Sequence, residues 1–104
     1  MCGIAGLYST SSPPDKTTLK QMNDCLVHRG PDEDGTYIDG SAGLAHRRLS
    51  IVGLDSGRQP IFNEDGSIVV IFNGEIYNYE SLREDLRKQG HNFSTDTDTE
   101  VLVH

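Results

Sequence analysis

Cys2 stands directly behind the initiator methionine in Met1-Cys2-Gly3-Ile4-Ala5-Gly6, and loss of Met1 would leave a thiol and a free α-amine on one residue. Such a residue is its own nucleophile and base. An α-amine with a pKa of about 7.7–8.0 is partly unprotonated near neutrality, whereas a cysteine inside a chain needs a neighbouring imidazole to take its proton. Many chains carry a small second residue without chemical consequence, so the reading depends on what else is offered. A thiol attacking a carboxamide needs donors for the oxyanion, an anchor for the rest of the substrate and a small-residue approach, and candidates for all three exist.

Donors are available in Asn73-Gly74-Glu75, immediately after the strongest strand pattern in the chain. A carboxamide and a glycine N–H at a strand end can both aim at a developing oxyanion, where loss of one donor costs about 10²–10³ in rate. Asn-Gly is also the commonest hairpin dipeptide, and a simple turn is the local alternative. Arg47 and Arg48 precede Leu49-Ser50-Ile51-Val52 at a predicted strand end. A guanidinium fork there could hold a carboxylate or stand in solvent. Asp98 could take an ammonium group, although an acidic residue in a first helical turn also stabilises the helix dipole. His28, His46, His91 and His104 lack a compact metal-ligand spacing, so no metal is expected. A thiol–imidazole pair between Cys2 and one of them is an alternative that no spacing selects. Neither a Gly-x-x-x-x-Gly-Lys-Ser/Thr run nor a Gly-x-Gly-x-x-Gly pattern after a strand is present, so ATP binding is not encoded in these residues.

The elements that must position these groups read as α+β. Residues 3–8 form an apolar, glycine-containing run that suits a buried first strand. Asp15 predicts an N-cap, followed by a helix in which Leu19, Met22, Cys25 and Leu26 recur at helical spacing to about residue 27, with Cys25 packed inside. His28-Arg29-Gly30-Pro31-Asp32 breaks it. Strands are expected near 36–38, at 44–48 and most clearly at 68–72, where Ile68-Val69-Val70-Ile71-Phe72 follows an Asp-Gly turn and should be central. A second helix fits 79–89, with Asn78 as N-cap, Leu82 and Leu86 on a buried face, a Glu84–Lys88 pair and Gly90 as stop. Thr97-Asp98-Thr99-Glu100 has capping-box spacing, and Val101-Leu102-Val103-His104 then opens an apolar helix that has no length to finish. A truncated domain is the expectation.

Composition bounds the rest. At 104 residues with 35% hydrophobic content the chain is one domain with a modest core. No run approaches the roughly 20 apolar residues of a membrane span, and no secretory signal opens the chain, so the cytoplasm is expected. Two cysteines make no disulfide framework. A formal charge of −7 disfavours nucleic acid and anionic membranes as partners and leaves small molecules open.

Met1-Cys2-Gly3-Ile4-Ala5-Gly6, His28-Arg29-Gly30-Pro31-Asp32, Ala45-His46-Arg47-Arg48-Leu49-Ser50-Ile51-Val52, Gln59-Pro60, Phe72-Asn73-Gly74-Glu75-Ile76-Tyr77-Asn78 and Thr97-Asp98-Thr99-Glu100 follow one another in an order that resembles the glutaminase domain of class II glutamine amidotransferases. The phrasing is most similar to the asparagine synthetase branch, rather than to those making glucosamine phosphate or phosphoribosylamine. The resemblance implies an N-terminal-nucleophile hydrolase, an αββα sandwich of antiparallel sheets of which residues 1–104 are the N-terminal portion. It implies Cys2 as nucleophile, Asn73 and Gly74 as oxyanion hole, Arg48 holding the glutamine α-carboxylate and Asp98 its α-ammonium. Glu75 and the backbone of Leu49, Ile51 and Val52 would wall the pocket. Glutamine would be the substrate and ammonia would pass to a synthetase domain that uses ATP and magnesium to amidate an acceptor such as aspartate. No cofactor is implied within these residues, and homo-oligomer formation is left open. Two alternatives stand: the glutaminase domain of a relative acting in sugar or secondary-metabolite synthesis, and a folded but inert module.

Overall fold

The computed structural model describes residues 2–49 and 58–104. Its first sheet is antiparallel, with β3 (Ala42–Arg48) in the middle between β1 (Gly3–Tyr8) and β2 (Glu33–Asp39). Ala45 lies opposite Ala5 on one side and Thr36 on the other. Gly40, at φ +54, takes the first place of the two-residue loop between β2 and β3, where a left-handed residue matches the twist of the flanking strands. β1 has the expected bounds but is not buried throughout. Burial alternates along it, Ile4 being 47% and Tyr8 74% exposed, because α1 covers one face of the sheet and β1 lies at its edge.

α1 (Lys16–Asp24) begins where Asp15 accepts hydrogen bonds from Thr17 N at 3.1 Å and Thr18 Oγ1 at 3.2 Å. Leu19 is fully buried, and a Cβ on Gly43 of β3 would stand 3.3 Å from its Cδ2, so the helix rests directly on the strand. The helix ends before the expected residue 27. Cys25 is its exposed C-cap rather than a packed helical residue, and residues 25–29 continue as turns.

The second sheet is a short pair, β4 (Ile61–Phe62) with β5 (Val69–Val70). Between them Asn63 Oδ1 accepts from Ile68 N and Asp65 Oδ1 from Ser67 N, with Gly66 at φ +75. The expected central strand over 68–72 is thus two residues long in its ladder, and the central position belongs to β3. The edge-to-face rings of Tyr37 and Phe62, 5.3 Å apart, join the two sheets.

α2 (Tyr79–Lys88) buries no residue completely: Leu82 is 36% exposed, Leu86 is half-buried and Asn78 makes no side-chain cap bond. Polar contacts attach it instead. Arg83 donates from Nη2 to Thr97 O at 3.0 Å while its guanidinium lies over the Tyr79 and Phe93 rings. Gly90 at φ +98 follows the helix as expected. The last element is a 3-10 helix, Asp98–Val103, whose Val101 and Val103 are buried beneath β4 and β5. Thr97 Oγ1 caps Thr99 N at 3.4 Å, but the capping box does not close. Glu100 turns away to accept from Ser94 N, Thr95 N and the Thr95 hydroxyl. Helices and antiparallel sheet together make an α+β domain.

Candidate active site

Strand alternation decides which arginine reaches the cavity. Gly43, Ala45 and Arg47 share the face of β3 turned to α1, so Arg47 is buried and donates from Nε to Gly30 O at 2.9 Å. Arg48, one residue on, points to the opposite side and lines a cavity of about 580 Å³. Its Nη1 donates to Glu33 Oε2 at 3.2 Å, and Arg58 Nε lies 3.4 Å from the other Glu33 oxygen, so the guanidinium is braced from β2.

Cys2, Leu49, Asn73, Gly74, Glu75 and Asp98 line the same cavity. Seven expected site residues, drawn from both ends of the chain, thereby share one space. Ile51 and Val52 lie outside the described residues. Cys2 is half-buried at the head of β1, and its carbonyl accepts from Asn73 Nδ2 at 3.0 Å and Arg29 Nε at 2.9 Å. The amide nitrogen of Asn73 carries two hydrogens, so one serves Cys2 and one is left for another acceptor. At Gly74 a Cβ would come within 2.8 Å of the Phe72 ring, so a side chain there would require that ring to shift. Asp98 Oδ2 accepts from Ile76 N at 2.8 Å, and its Oδ1 accepts from the Thr97 and Thr99 hydroxyls at 3.3 and 3.4 Å. The carboxylate therefore fastens the loop after Asn73 to the 3-10 helix while facing the cavity.

Sequence reasoning passed over the roles of Arg29 and His46 in supporting this site. Arg29 sits in a motif read as a helix break, yet the turns after α1 carry it back to the Cys2 carbonyl. His46 faces away from α1, with Nε2 3.3 Å from Phe72 O. Burial pushes its pKa below the ordinary 6.5, with Arg48 acting in the same sense and the Phe72 contact and Glu33 opposing. The neutral ring can donate through Nε2. Neither role has a local sequence signal, because both depend on pairings between distant segments.

A second cluster lies elsewhere. Glu64, His91 and His104, which the sequence separates widely, bring one potential ligand atom each within 4.8 Å of one another. Hydrogen bonds already join these atoms: Glu64 accepts from His104 Nδ1 at 2.6 Å and His91 Nδ1 at 2.9 Å, and His104 Nε2 meets Glu100 Oε2 at 2.9 Å. Its own backbone N–H, followed by the two histidines and Asn92 N, holds the Glu64 carboxyl at about 2 against an opposing effect of burial. The arrangement ties the β4–β5 turn to the last helix. Among the described residues no helix is long and apolar enough to cross a membrane.

An α+β domain with a cysteine, a loop carboxamide, a braced guanidinium and a carboxylate on one cavity is suited to thiol chemistry on a small polar substrate. Residues 1–104 match a family model described as a glutamine amidotransferase domain, and the chain belongs to that family. It is 47% identical over 107 residues to asparagine synthetase (glutamine-hydrolyzing) 1 of Bacillus subtilis (strain 168), a match covering 99% of this chain and 17% of the relative. To asparagine synthetase (glutamine-hydrolyzing) 2 of the same organism it is 48% identical over 108 residues, covering 100% and 14%. To asparagine synthetase (glutamine-hydrolyzing) of Brassica oleracea it is 47% identical over 106 residues, covering 100% and 18%. The chain spans less than a fifth of the length of each of these relatives.

Proposed function

We propose that this domain hydrolyses the side-chain amide of glutamine with Cys2 as nucleophile and supplies ammonia to a synthetase domain outside these 104 residues. The carrying observation is the shared cavity, where the thiol residue, Asn73, Gly74, Arg48, Glu75 and Asp98 meet. Once Met1 is removed, the Cys2 amine takes the thiol proton, directly or through a water, as sulfur attacks the amide carbon. The tetrahedral oxyanion forms against Asn73 Nδ2 and Gly74 N. Collapse breaks the carbon–nitrogen bond as the Cys2 ammonium returns its proton to the leaving nitrogen, releases ammonia and leaves a γ-glutamyl thioester, which water hydrolyses to glutamate and free thiol. Arg48 pairs with the α-carboxylate and Asp98 with the α-ammonium, while Glu75 and backbone from Leu49 through Val52 wall the pocket.

On this reading the acceptor is a carboxylate such as that of aspartate, activated with ATP and magnesium at the synthetase domain, in the cytoplasm. The αββα arrangement of N-terminal-nucleophile hydrolases is the fold we assign to the complete domain. The test is the intact mass of the purified protein with and without diazo-oxo-norleucine, a glutamine-mimicking alkylator, followed by adduct mapping. Loss of Met1 and a single adduct on Cys2, absent from Cys2→Ala, are expected. A Met1-free protein that hydrolyses no glutamine and takes no adduct refutes the reading, as does full turnover by a variant retaining Met1.

A further inference from the structure

Phe72 is the residue before Asn73 and Gly74, and its main chain is held by a side chain where a strand would ordinarily hold it. β5 ends at Val70. Two residues on, Gln59 Oε1 accepts from Phe72 N at 2.5 Å and Gln59 Nε2 donates to Phe72 O at 3.1 Å. One carboxamide thus exchanges with one residue the donor and acceptor pair that an antiparallel neighbour would exchange. The same carbonyl faces His46 Nε2 at 3.3 Å.

From these contacts we infer that Gln59 is a positioning residue for the oxyanion site, an assignment that rests on the glutaminase reading above. Gln59 is fixed from behind: a Cβ on Gly35 of β2 would fall 2.0 Å from Gln59 O, so the two backbones touch with no room for a side chain. In front, Phe72 passes the position on in two ways. Its peptide leads directly into Asn73, whose amide reaches Cys2 O at 3.0 Å, and its ring stands 2.8 Å from where a Cβ on Gly74 would fall. The run from β2 through Gln59 and Phe72 to both oxyanion donors is continuous. Arg48 belongs instead to β3 and Asp98 to the 3-10 helix, meeting this loop three residues beyond Asn73 at Ile76 N, so the grip on Phe72 governs the donors more than the groups assigned to the ends of glutamine.

Only a carboxamide suits the position. A carboxylate of the same shape could accept from Phe72 N but would set a second oxygen against Phe72 O, and an apolar side chain would leave both main-chain groups unpaired. Oxyanion donors act within a few tenths of an ångström, and a displacement of about 1 Å can cost about 10²-fold in rate.

The experiment uses the intact protein, free of Met1, with Gln59→Glu and Gln59→Leu. Steady-state glutamine hydrolysis is measured beside the affinities for glutamate and for the γ-aldehyde analogue of glutamate, which adds Cys2 sulfur to its carbonyl and sets an oxygen where the oxyanion forms. Expected in both variants are a kcat lower by about 10–100-fold and aldehyde binding at least about tenfold weaker. KM and glutamate affinity should change less than about threefold, because they do not draw on the oxyanion donors. A folded Gln59→Glu protein with unchanged kcat and aldehyde affinity overturns the inference, and so does a parallel loss of glutamate and aldehyde binding. If Gln59→Leu does not fold, the near-isosteric Gln59→Glu decides. Wild-type protein without glutamine hydrolysis overturns the glutaminase reading and this inference with it, whereas active wild type with unaffected variants overturns the inference alone.

Discussion

Arg29 and Asn73 converge on the carbonyl oxygen of Cys2, and only Asn73 also belongs to the proposed oxyanion site. Arg29 therefore offers a way to loosen the nucleophile without touching the donors. Arg29→Leu is expected to slow alkylation of Cys2 by diazo-oxo-norleucine about tenfold, the size of one charge-assisted hydrogen bond, with partial recovery in Arg29→Lys. An unchanged rate in both would show that Asn73 alone holds the residue. His46 carries a pH prediction. Its folded pKa is depressed, mainly by burial, so its neutral form contributes stability that is present above 6.5 and is lost as pH falls through the lower folded value. Urea midpoints should fall on acidification below 6.5, and His46→Gln, which stays neutral, should flatten that limb. A limb unchanged in the variant would assign the effect to another group.

α1 and α2 are similar in length but are anchored differently, and stability should separate them. Leu19 is fully buried on β3, so Leu19→Ala is expected to cost about 2–5 kcal/mol, whereas Leu82→Ala, more than a third exposed, should cost under about 1 kcal/mol. Chemical denaturation of both variants checks the contrast, and equal losses would contradict it. The same contrast marks what the sequence could reveal. The Asp15 cap, the 44–48 strand and the Gly90 stop were legible because each depends on residues within one turn or one strand. The buried face of α2 was not, since a stripe at helical spacing says which side could be covered and never what covers it. The strand over 68–72 had the right residues, but order in a sheet is set by distant pairing, and Gln59 takes over the Phe72 peptide. For the site, the residue types of Cys2, Asn73, Arg48 and Asp98 were readable. Their supports, Arg29, His46 and Gln59, were not, because a hydrogen bond to a carbonyl across the fold has no spacing to detect.

The described residues bury few apolar side chains completely: Leu19 and Ala45 near α1, and Ile61, Val101 and Val103 beside the 3-10 helix. Outside these small clusters Ile4, Tyr8, Val27, Phe62, Ile68, Tyr77 and Leu102 are each at least 40% exposed. Two small cores joined by aromatic and polar contacts give limited stability, and the exposed apolar groups favour association. The purified 104-residue chain is therefore expected to sediment with concentration-dependent mass over the micromolar range. A monodisperse species that unfolds cooperatively would show that these side chains are compatible with an isolated domain.

The arginine pair at the end of β3 has a consequence for changes in chain length. A one-residue insertion in the Gly40-Ser41 loop that slipped β3 by a single step would exchange its two faces. Arg47 would then arrive at the cavity as Arg48 left it, so the pocket would keep a guanidinium. The same step would substitute Ala45 for His46 opposite the Phe72 carbonyl. Adjacent arginines thus insure carboxylate recognition against a register error, while nothing insures the oxyanion side, and such a variant should fail at turnover before it fails at binding.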